Sequence, residues 1–258
     1  MAVKGPGDEA RPDVLPPGAG PSGTPRRLLE VAVELFAMRG YFGVSVRDIT
    51  AAIGIQPASL YNHYANKEDL LIAVMGLGHE WSSSQAAAAI DALGPGATPT
   101  DRLRAAVVAH ARTHAEYPLL ARVCSSELHG LGEDALAAVL DLRMASVAQL
   151  SAIIDDGIVT GEFAVDDVFL TVMAISAMVI RLSNWYGGNK VGLEFGPALP
   201  AELDPAAIYP VDQLTESYAD LALRLVTPPP GRGSGTATES GSGNRVGDQR
   251  TDGDWSRP

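Results

Sequence analysis

Apolar residues recur at every third or fourth position through most of the chain, and no convincing stretch alternates apolar and polar residues with period two. This spacing is typical of amphipathic α-helices, which turn once in about 3.6 residues. Glycine and proline mark the breaks, and the pattern predicts helices near residues 67–91, 99–116, 119–129, 133–160, 165–186 and 211–226. The sequence therefore predicts an all-α fold.

The two ends of the chain differ in composition from the middle. Residues 1–23 are rich in Pro, Gly and Asp, and residues 227–258 consist mostly of Gly, Ser, Thr, Pro and Arg. Such segments bury too little apolar surface to offset the entropy lost on ordering, so both are predicted to be disordered tails. Between them we expect a small domain over residues 24–70 and a larger helical domain over residues 71–226.

The small domain carries signals for short helices. The first is predicted to start at Thr24, whose hydroxyl can cap free amides, and to end at Gly40. Ser45 and Asp48 have the spacing of a capping box, which predicts the start of a second helix. Gly54 interrupts that helix after about two turns.

A third helix is predicted to begin at Gln56-Pro57 and to carry residues 58–63. Two short helices joined by a glycine turn hold their axes at a wide angle, so the second can enter the major groove of DNA while the first crosses the backbone. The small domain is therefore predicted to be a three-helix domain that contains a helix-turn-helix.

The formal net charge of −12 argues against nonspecific coating of nucleic acid, because phosphate attraction favours basic proteins. This net charge does not exclude a local DNA-binding site. Acidic residues concentrate after residue 130, whereas residues 24–67 carry five basic residues against three acidic ones. A DNA-binding surface is therefore predicted near the N-terminus.

The single cysteine, Cys124, cannot form an internal disulfide, which agrees with a reducing compartment. Neither a secretory signal nor a run of about 18 apolar residues is evident, so the protein is predicted to be cytoplasmic. There is no nucleophile elbow, no phosphate-cradling loop and no dinucleotide-binding glycine motif after a strand. An enzyme is not predicted.

A metal site is the other chemistry to weigh. His110 and His114 stand four residues apart on one predicted helix, and Cys124, Glu127 and His129 follow one helix later. Two histidines at this spacing are common by chance, and nothing in the pattern fixes a ligand geometry. We therefore predict neither a metal nor a cofactor.

Two adjoining runs resemble a known family. Residues 44–70, VSVRDITAAIGIQPASLYNHYANKEDL, and the preceding LLEVAVELFAMRGYFGVS together resemble the DNA-binding domain of the TetR family. The most specific parts are the aromatic glycine turn GYFG at residues 40–43 and the run LYNHY followed by NKE. The resemblance implies a transcriptional regulator, most often a repressor, that binds a palindromic operator as a homodimer and is released by a small-molecule effector.

The resemblance also implies roles for single positions. Backbone contacts, which set register rather than sequence choice, are implied for Ser45, Tyr61, His63 and Lys67. Positions on the exposed side or leading end of the third helix can contact base edges, and these are Gln56, Ala58, Ser59 and Asn62. Arg47, on the second helix, can reach either a phosphate or a base.

Other readings of these residues stay open. Tyr61 and Tyr64 can seal the three-helix core, and Lys67 can be an ordinary solvated charge. The third helix has no arginine or lysine between Gln56 and Asn66, so sequence choice is expected to rest on DNA shape or on weak polar contacts.

The larger domain is similar to the family in architecture alone. Helices around residues 168–185 and 214–226 are apolar over more than one face and therefore need two partners. We expect them to pack on their symmetry mates as a four-helix dimer interface; internal core helices of a monomer are the alternative.

An effector pocket is predicted within the larger domain, lined by His110, His114, Leu120, Cys124, Met144, Met178, Leu182 and Trp185. Residues 182–186 resemble members that sense fatty-acyl or steroid-derived thioesters of coenzyme A, which implies a large, mostly apolar effector. Packing of Trp185 and Tyr186 at the dimer interface is the alternative for this segment. Two other functions stay open for the whole chain: a ligand-binding module without DNA binding, and a transcriptional activator.

Overall fold

The computed structural model describes residues 14–186 and 205–227, and the regular structure of these residues is entirely helical. The prediction of an all-α fold is confirmed. In chain order the α-helices are α1 Thr24–Arg39, α2 Val46–Ala52, α3 Pro57–Leu60, α4 Lys67–Asp91, α5 Pro99–Glu116, α6 Pro118–Ser126, α7 Glu133–Thr160, α8 Val168–Ile180, α9 Leu182–Trp185, α10 Pro205–Ile208 and α11 Val211–Val226. A 3-10 turn, Leu128–Gly130, lies between α6 and α7.

The predicted helices over residues 67–91, 99–116, 133–160 and 211–226 coincide with α4, α5, α7 and α11 at both ends. The helix predicted near residues 165–186 begins later, because the carboxylate of Asp167 accepts the amide of Leu170 at 2.8 Å and caps α8. It is also divided at Arg181, which separates α8 from α9. The helix predicted over residues 119–129 ends early and continues as the 3-10 turn.

Residues 14–23 were expected to belong to a disordered tail, and for this segment the prediction is wrong. Leu15 is fully buried in the core beside α1. The Arg26 guanidinium donates to the carbonyls of Leu15, Pro16 and Ala19 at 3.2, 3.1 and 2.7 Å. We call residues 14–23 the N-terminal arm; the rest of the two expected tails, residues 1–13 and 228–258, lies outside the described residues.

The arm also changes the start of α1. Thr24 was predicted to cap this helix, but the capping position is Gly23, with a φ of 70°, and no side chain caps the amides there. Thr24 lies inside the first turn. The positive φ of Gly23 turns the chain from the arm into the helix, a conformation that a residue with a Cβ rarely adopts.

Two apolar cores organise the chain. The N-terminal core joins the arm, α1, α2, α3 and the first half of α4, and Phe36, Ile49 and Leu60 are fully buried in it. The C-terminal core joins α5, α7, α8, α9 and α11. Leu120 and Val123 of α6 belong to the N-terminal core, so that core crosses the boundary expected at residue 70.

The approach of α6 to α4 depends on Gly78. A Cβ at this position would lie 2.5 Å from Cys124 Sγ and 3.3 Å from Leu120 Cγ. The two helices therefore touch where α4 has no side chain. This contact connects the helix that leads out of the small domain with a helix of the larger one.

Candidate functional site

The start of α2 is built as the sequence predicted. Ser45 Oγ accepts the amide of Asp48 at 3.2 Å, and Asp48 Oδ2 accepts the amide of Ser45 at 2.8 Å, so the capping box is confirmed. The Ser45 hydroxyl also donates to Asp48 Oδ2 at 2.6 Å. This last hydrogen bond is the main cause that lowers the pKa of Asp48. Ser45 is exposed, with its hydroxyl held in place at the edge of α2.

The third helix is shorter than predicted. Regular helix ends at Leu60, and residues 61–63 form a turn in which the amides of His63 and Tyr64 both point to the carbonyl of Leu60, at 2.9 and 3.0 Å. The buried side chain of Leu60 anchors the segment in the N-terminal core. Tyr61, Asn62 and His63 therefore project from a turn rather than from a continuous helix.

The nine residues predicted to contact DNA lie on or beside α2, α3 and the start of α4. The exposed ones are Ser45, Arg47, Gln56, Ala58, Tyr61, Asn62 and His63, and the half-buried ones are Ser59 and Lys67. None of the nine is buried, so each can be reached from solvent.

The two tyrosines beside α3 have different environments. Tyr61 is 55% exposed, whereas Tyr64 packs on the N-terminal core and its hydroxyl donates to the carbonyl of Pro25 at 3.4 Å. Burial raises the pKa of Tyr64. Tyr64 therefore packs on and closes the N-terminal core, whereas Tyr61 does not.

Lys67 is not an ordinary solvated charge. Its ammonium donates to the carbonyls of Tyr41 and Val44 at 2.9 and 2.8 Å and lies 3.9 Å from the centroid of the Tyr41 ring. Burial lowers its pKa. Two of the three ammonium hydrogens are used inside the chain, so the side chain fastens the aromatic glycine turn to α4 and retains one donor for another partner.

A cavity of about 440 Å³ lies in the larger domain among α4, α5, α6, α7 and α8. The residues predicted for the pocket that do line it are His110, His114, Leu120, Cys124 and Met144. Three others do not, and for Met178, Leu182 and Trp185 the prediction is wrong.

Packing explains these corrections. The face of α8 that lines the cavity carries Ser176, Ala177 and Ile180, and Met178 points away from it because successive helical residues are turned by about 100°. Leu182 is fully buried in the C-terminal core. Trp185 packs on the same core and edge-on against Tyr186, with ring centroids 5.8 Å apart.

Sequence reasoning missed several polar residues of the cavity. His79 and Ser82 come from α4, Thr113 from α5, and Arg143 and Ser146 from α7. The available signal was their spacing, since residues 79 and 82, and likewise 143 and 146, stand three apart within otherwise apolar helices. Polar side chains on an apolar helical face mark a place where the helix does not meet a packed core.

The histidines and the cysteine of the cavity are uncharged at neutral pH. Burial lowers the pKa of His79 and of His114 to about 4, and lowers that of His110 well below its usual value. Burial raises the pKa of Cys124 to about 12. The rings of His110 and His114 meet edge-on with centroids 4.6 Å apart. Among residues 14–186 and 205–227, no group of three His, Cys, Asp or Glu side chains is arranged to hold a metal ion.

Apolar side chains remain exposed on α8 and α11. Phe169 and Leu170 are 57% and 65% exposed, and Leu221 and Leu225 are 44% and 46% exposed. By length and mean hydropathy alone, two helical segments, Glu133–Thr160 and Val168–Trp185, are apolar enough to cross a membrane, although polar residues interrupt both of them. Most residues of both segments are not fully buried in the single chain, and the exposed apolar side chains of the first segment include Met144 and Val159.

Comparison with known proteins matches the two parts of the chain separately. Residues 28–74 match the family described as bacterial regulatory proteins, tetR family. Residues 96–189 match the family described as tetracyclin repressor-like, C-terminal domain. The first range holds the surface around α2 and α3, and the second holds most of the cavity.

The chain is 42% identical over 57 residues to the HTH-type transcriptional repressor KstR2 of Rhodococcus jostii, which is 22% of this chain and 28% of that repressor. It thus spans little more than a quarter of the length of that relative. The crystal structure of a bacterial regulatory protein in the tetR family from Rhodococcus RHA1 is similar, with a TM-score of 0.69 and 28% identity over 81% of this chain and 100% of the other.

The structure of AibR in complex with isovaleryl coenzyme A and operator DNA is similar in fold, with a TM-score of 0.62 and 23% identity over 80% of this chain and 98% of the other. The helix-turn-helix at residues 46–60, its capping box and the helical domain behind it agree with these matches. The chain belongs to the TetR family of transcriptional regulators.

Proposed function

We propose that this protein is a cytoplasmic, ligand-responsive repressor that binds a palindromic operator as a homodimer and is released by a small, largely apolar effector. The observation that supports the proposal is that helix α4 connects an exposed polar surface with a cavity. An exposed polar surface on α2 and α3 stands at one end of α4, and a cavity lies further along the same helix, at Gly78 and His79. A helix shared by both sites can transmit a change from one to the other.

Operator recognition is assigned to the exposed surface. Backbone phosphates would be met by Ser45, Tyr61, His63 and Lys67, and Arg47 would reach a phosphate or a base. Base edges would be met by Gln56, Ala58, Ser59 and Asn62. Because none of the residues between Gln56 and Asn66 is an arginine or lysine, recognition depends on polar and shape-dependent contacts rather than on arginine pairing with guanine.

Dimerisation is assigned to α8 and α11. Their exposed apolar side chains, such as Leu170 and Leu221, would be covered by the same helices of a second copy, since a two-fold interface uses one patch twice. A dimer also presents two helix-turn-helix units to the two half-sites of a palindrome. Replacing Leu170 with Asp should shift the protein from dimer to monomer in sedimentation, whereas Ser84→Asp, on α4, should leave the dimer intact.

The effector is assigned to the cavity among α4–α8. Its lining is mostly apolar, with Leu120, Val147, Leu150 and Ile180 among its walls, and its volume lies in the range of small-molecule sites. The similar fold of AibR is known with isovaleryl coenzyme A bound. These observations support an effector with an apolar chain, of the acyl-coenzyme A type.

Release requires that effector and operator favour different conformations. Effector binding would stabilise an orientation of α4 in which the spacing of the two DNA-reading surfaces fits the operator poorly. By reciprocity, operator DNA would then weaken effector binding by the same factor.

The test is a fluorescence-anisotropy titration of the full chain against DNA from its own upstream intergenic region, at several salt concentrations and with excess unrelated DNA. Saturable binding that resists the competitor supports the regulator. Binding that disappears with competitor favours the alternative of a ligand-binding module without a DNA-binding role. A reporter assay with and without the protein separates repression, in which expression falls, from activation.

A further inference from the structure

The cavity has an unbalanced charge. Among the described residues that line it, Arg143 is the one side chain that is ionised at neutral pH, because the lining contains no carboxylate or lysine and its histidines are neutral. Arg143 is half-buried at the middle of α7. A cation in such a place is stabilised by an anion, and none of the cavity's own side chains supplies one.

The charge of Arg143 reaches the interior of the cavity. After burial, it is the next cause that lowers the pKa of His79. It also opposes the rise that burial gives to the pKa of Cys124. Arg143 on α7, His79 on α4 and Cys124 on α6 all line the cavity, and we call these three residues its polar corner.

His79 supplies a second indication of a ligand at this corner. Its Nε2 atom is buried and has no hydrogen-bond partner in the described part of the chain. A buried ring nitrogen without a partner costs free energy, which a polar atom of a ligand beside it would recover. His79 and Arg143 both line the cavity, and the charge of Arg143 acts on the His79 ring.

Much of the remaining lining of the cavity is apolar. Along α7 the lining continues from Arg143 through Val147 to Leu150, which places Leu150 about 10 Å from Arg143 along the helix axis. Met173 and Ile180 of α8 also line the cavity. The cavity thus offers a charged corner and an apolar extension in one continuous space.

We infer that the effector is an apolar chain that ends in an oxyanion, with the oxyanion paired to Arg143, a second polar atom on His79 and the chain lying towards Leu150. The inference rests on the proposed function, in which this cavity receives the effector. The oxyanion can come from two sources, a carboxylate of the chain itself or a phosphate of a carrier attached to it.

Isothermal titration calorimetry of the full chain, without DNA, tests this assignment with three compounds of equal chain length: decanoic acid, decan-1-ol and decanoyl-coenzyme A. Decanoic acid or decanoyl-coenzyme A should bind at least about tenfold more tightly than decanol, because a charge-assisted hydrogen bond contributes more than a neutral one. Binding of decanoic acid identifies a carboxylate, and binding of the thioester alone identifies a phosphate.

Variants of the lining locate the effect. Arg143→Met keeps an unbranched apolar stem without the charge and should weaken binding of the anionic compound about 10- to 100-fold while leaving decanol unchanged. Arg143→Lys should retain part of the preference. Arg122→Met removes a charge from α6 outside the cavity and should change nothing, and Val147→Phe should block every compound by filling the space.

Equal affinity for decanol and both anions overturns the assignment, as does unchanged anion binding by Arg143→Met or the absence of binding by all three compounds. Thermal unfolding of each variant verifies that it is folded. Because no DNA is present, these outcomes leave operator binding untouched, and a protein that binds the anion but no operator refutes the proposed repressor instead.

Discussion

Glu127, at the C-terminal end of α6, accepts the backbone amide of Tyr41 with its Oε2 2.8 Å from the nitrogen, although 86 residues separate the two along the chain. The same tyrosine gives its carbonyl to the ammonium of Lys67, and its ring packs on Gly130. Since α6 also lines the cavity through Leu120, a hydrogen-bonded path connects the cavity to the small domain.

Removal of the Glu127 carboxylate should destabilise the protein. In Glu127→Ala the amide of Tyr41 would be buried without a partner, and we expect the free energy of unfolding to fall by about 1–3 kcal/mol. Glu127→Gln keeps an acceptor oxygen and should lose less. Urea denaturation at pH 7 measures both variants, and an alanine variant as stable as the parent would show that this contact is dispensable.

Tyr61 and Lys67 should both affect operator binding, but they should differ in stability. Tyr61→Ala should weaken operator affinity at unchanged Tm, because the side chain is 55% exposed. Lys67→Ala should weaken affinity and also lower the free energy of unfolding by about 1–3 kcal/mol, because two carbonyls lose their donor.

Anisotropy titrations over a range of salt concentrations check these expectations. Loss of one phosphate contact by Lys67 should reduce the salt slope by about one unit. Tyr64→Phe, which loses one long hydrogen bond to Pro25, is the matched control and should keep its operator affinity. Parent-like affinity in both Tyr61→Ala and Lys67→Ala would remove the assigned DNA-binding surface.

The features that the sequence predicted correctly depend on neighbours in the chain. The capping box of Ser45 and Asp48 requires residues three apart. The bounds of α4 and α7 follow from helical periodicity with caps and a closing Gly161. Such signals can be read without knowledge of the tertiary structure.

What could not be predicted depends on distant partners. Lys67 donates to residues 23 and 26 positions away, and no local pattern distinguishes that from a solvated lysine. The average composition of residues 1–23 indicates disorder and gives no sign that the single side chain of Leu15 is buried in the core. Because α8 is apolar over more than one face, hydrophobic periodicity alone does not show which face lines the cavity, and packing against α5 and α7 decides between Met178 and Ser176.

The N-terminal arm should contribute to stability. Leu15→Ala removes a fully buried side chain and should lower the free energy of unfolding by about 2–4 kcal/mol. Arg26→Met should act in the same direction, because three carbonyls of the arm lose their donor. Pro17→Ala changes an exposed residue of the same arm and serves as control. Equal denaturation midpoints for Leu15→Ala and Pro17→Ala would mean that the arm does not pack in solution.

Two glycines of α4 should respond in opposite ways to alanine. At Gly76 nothing lies within 4 Å of an added Cβ, so Gly76→Ala should raise the free energy of unfolding by up to about 1 kcal/mol through helix propensity. At Gly78 the added Cβ meets Cys124 Sγ at 2.5 Å, so Gly78→Ala should lower the Tm by forcing α4 and α6 apart. Calorimetric scans compare the two, and stabilisation by both would contradict the close approach of these helices.

The neutral histidines of the cavity should make stability depend on pH. The pKa of His79 and of His114 is lowered to about 4, whereas the unfolded chain protonates histidine near 6.5, so the unfolded state takes up protons first as pH falls. The contribution of each neutral histidine to the free energy of unfolding is fully present above about pH 6.5 and is lost as the pH falls towards 4. Between pH 7 and pH 5 the free energy of unfolding should fall by about 2 kcal/mol for each histidine. Urea denaturation at these two values should show a smaller drop for His79→Gln and His114→Gln than for the parent. His129→Gln, at an exposed position, should lose as much free energy of unfolding between pH 7 and pH 5 as the parent. An equal loss in the parent and all three variants would show that the imidazoles of His79 and His114 are solvated in the folded protein.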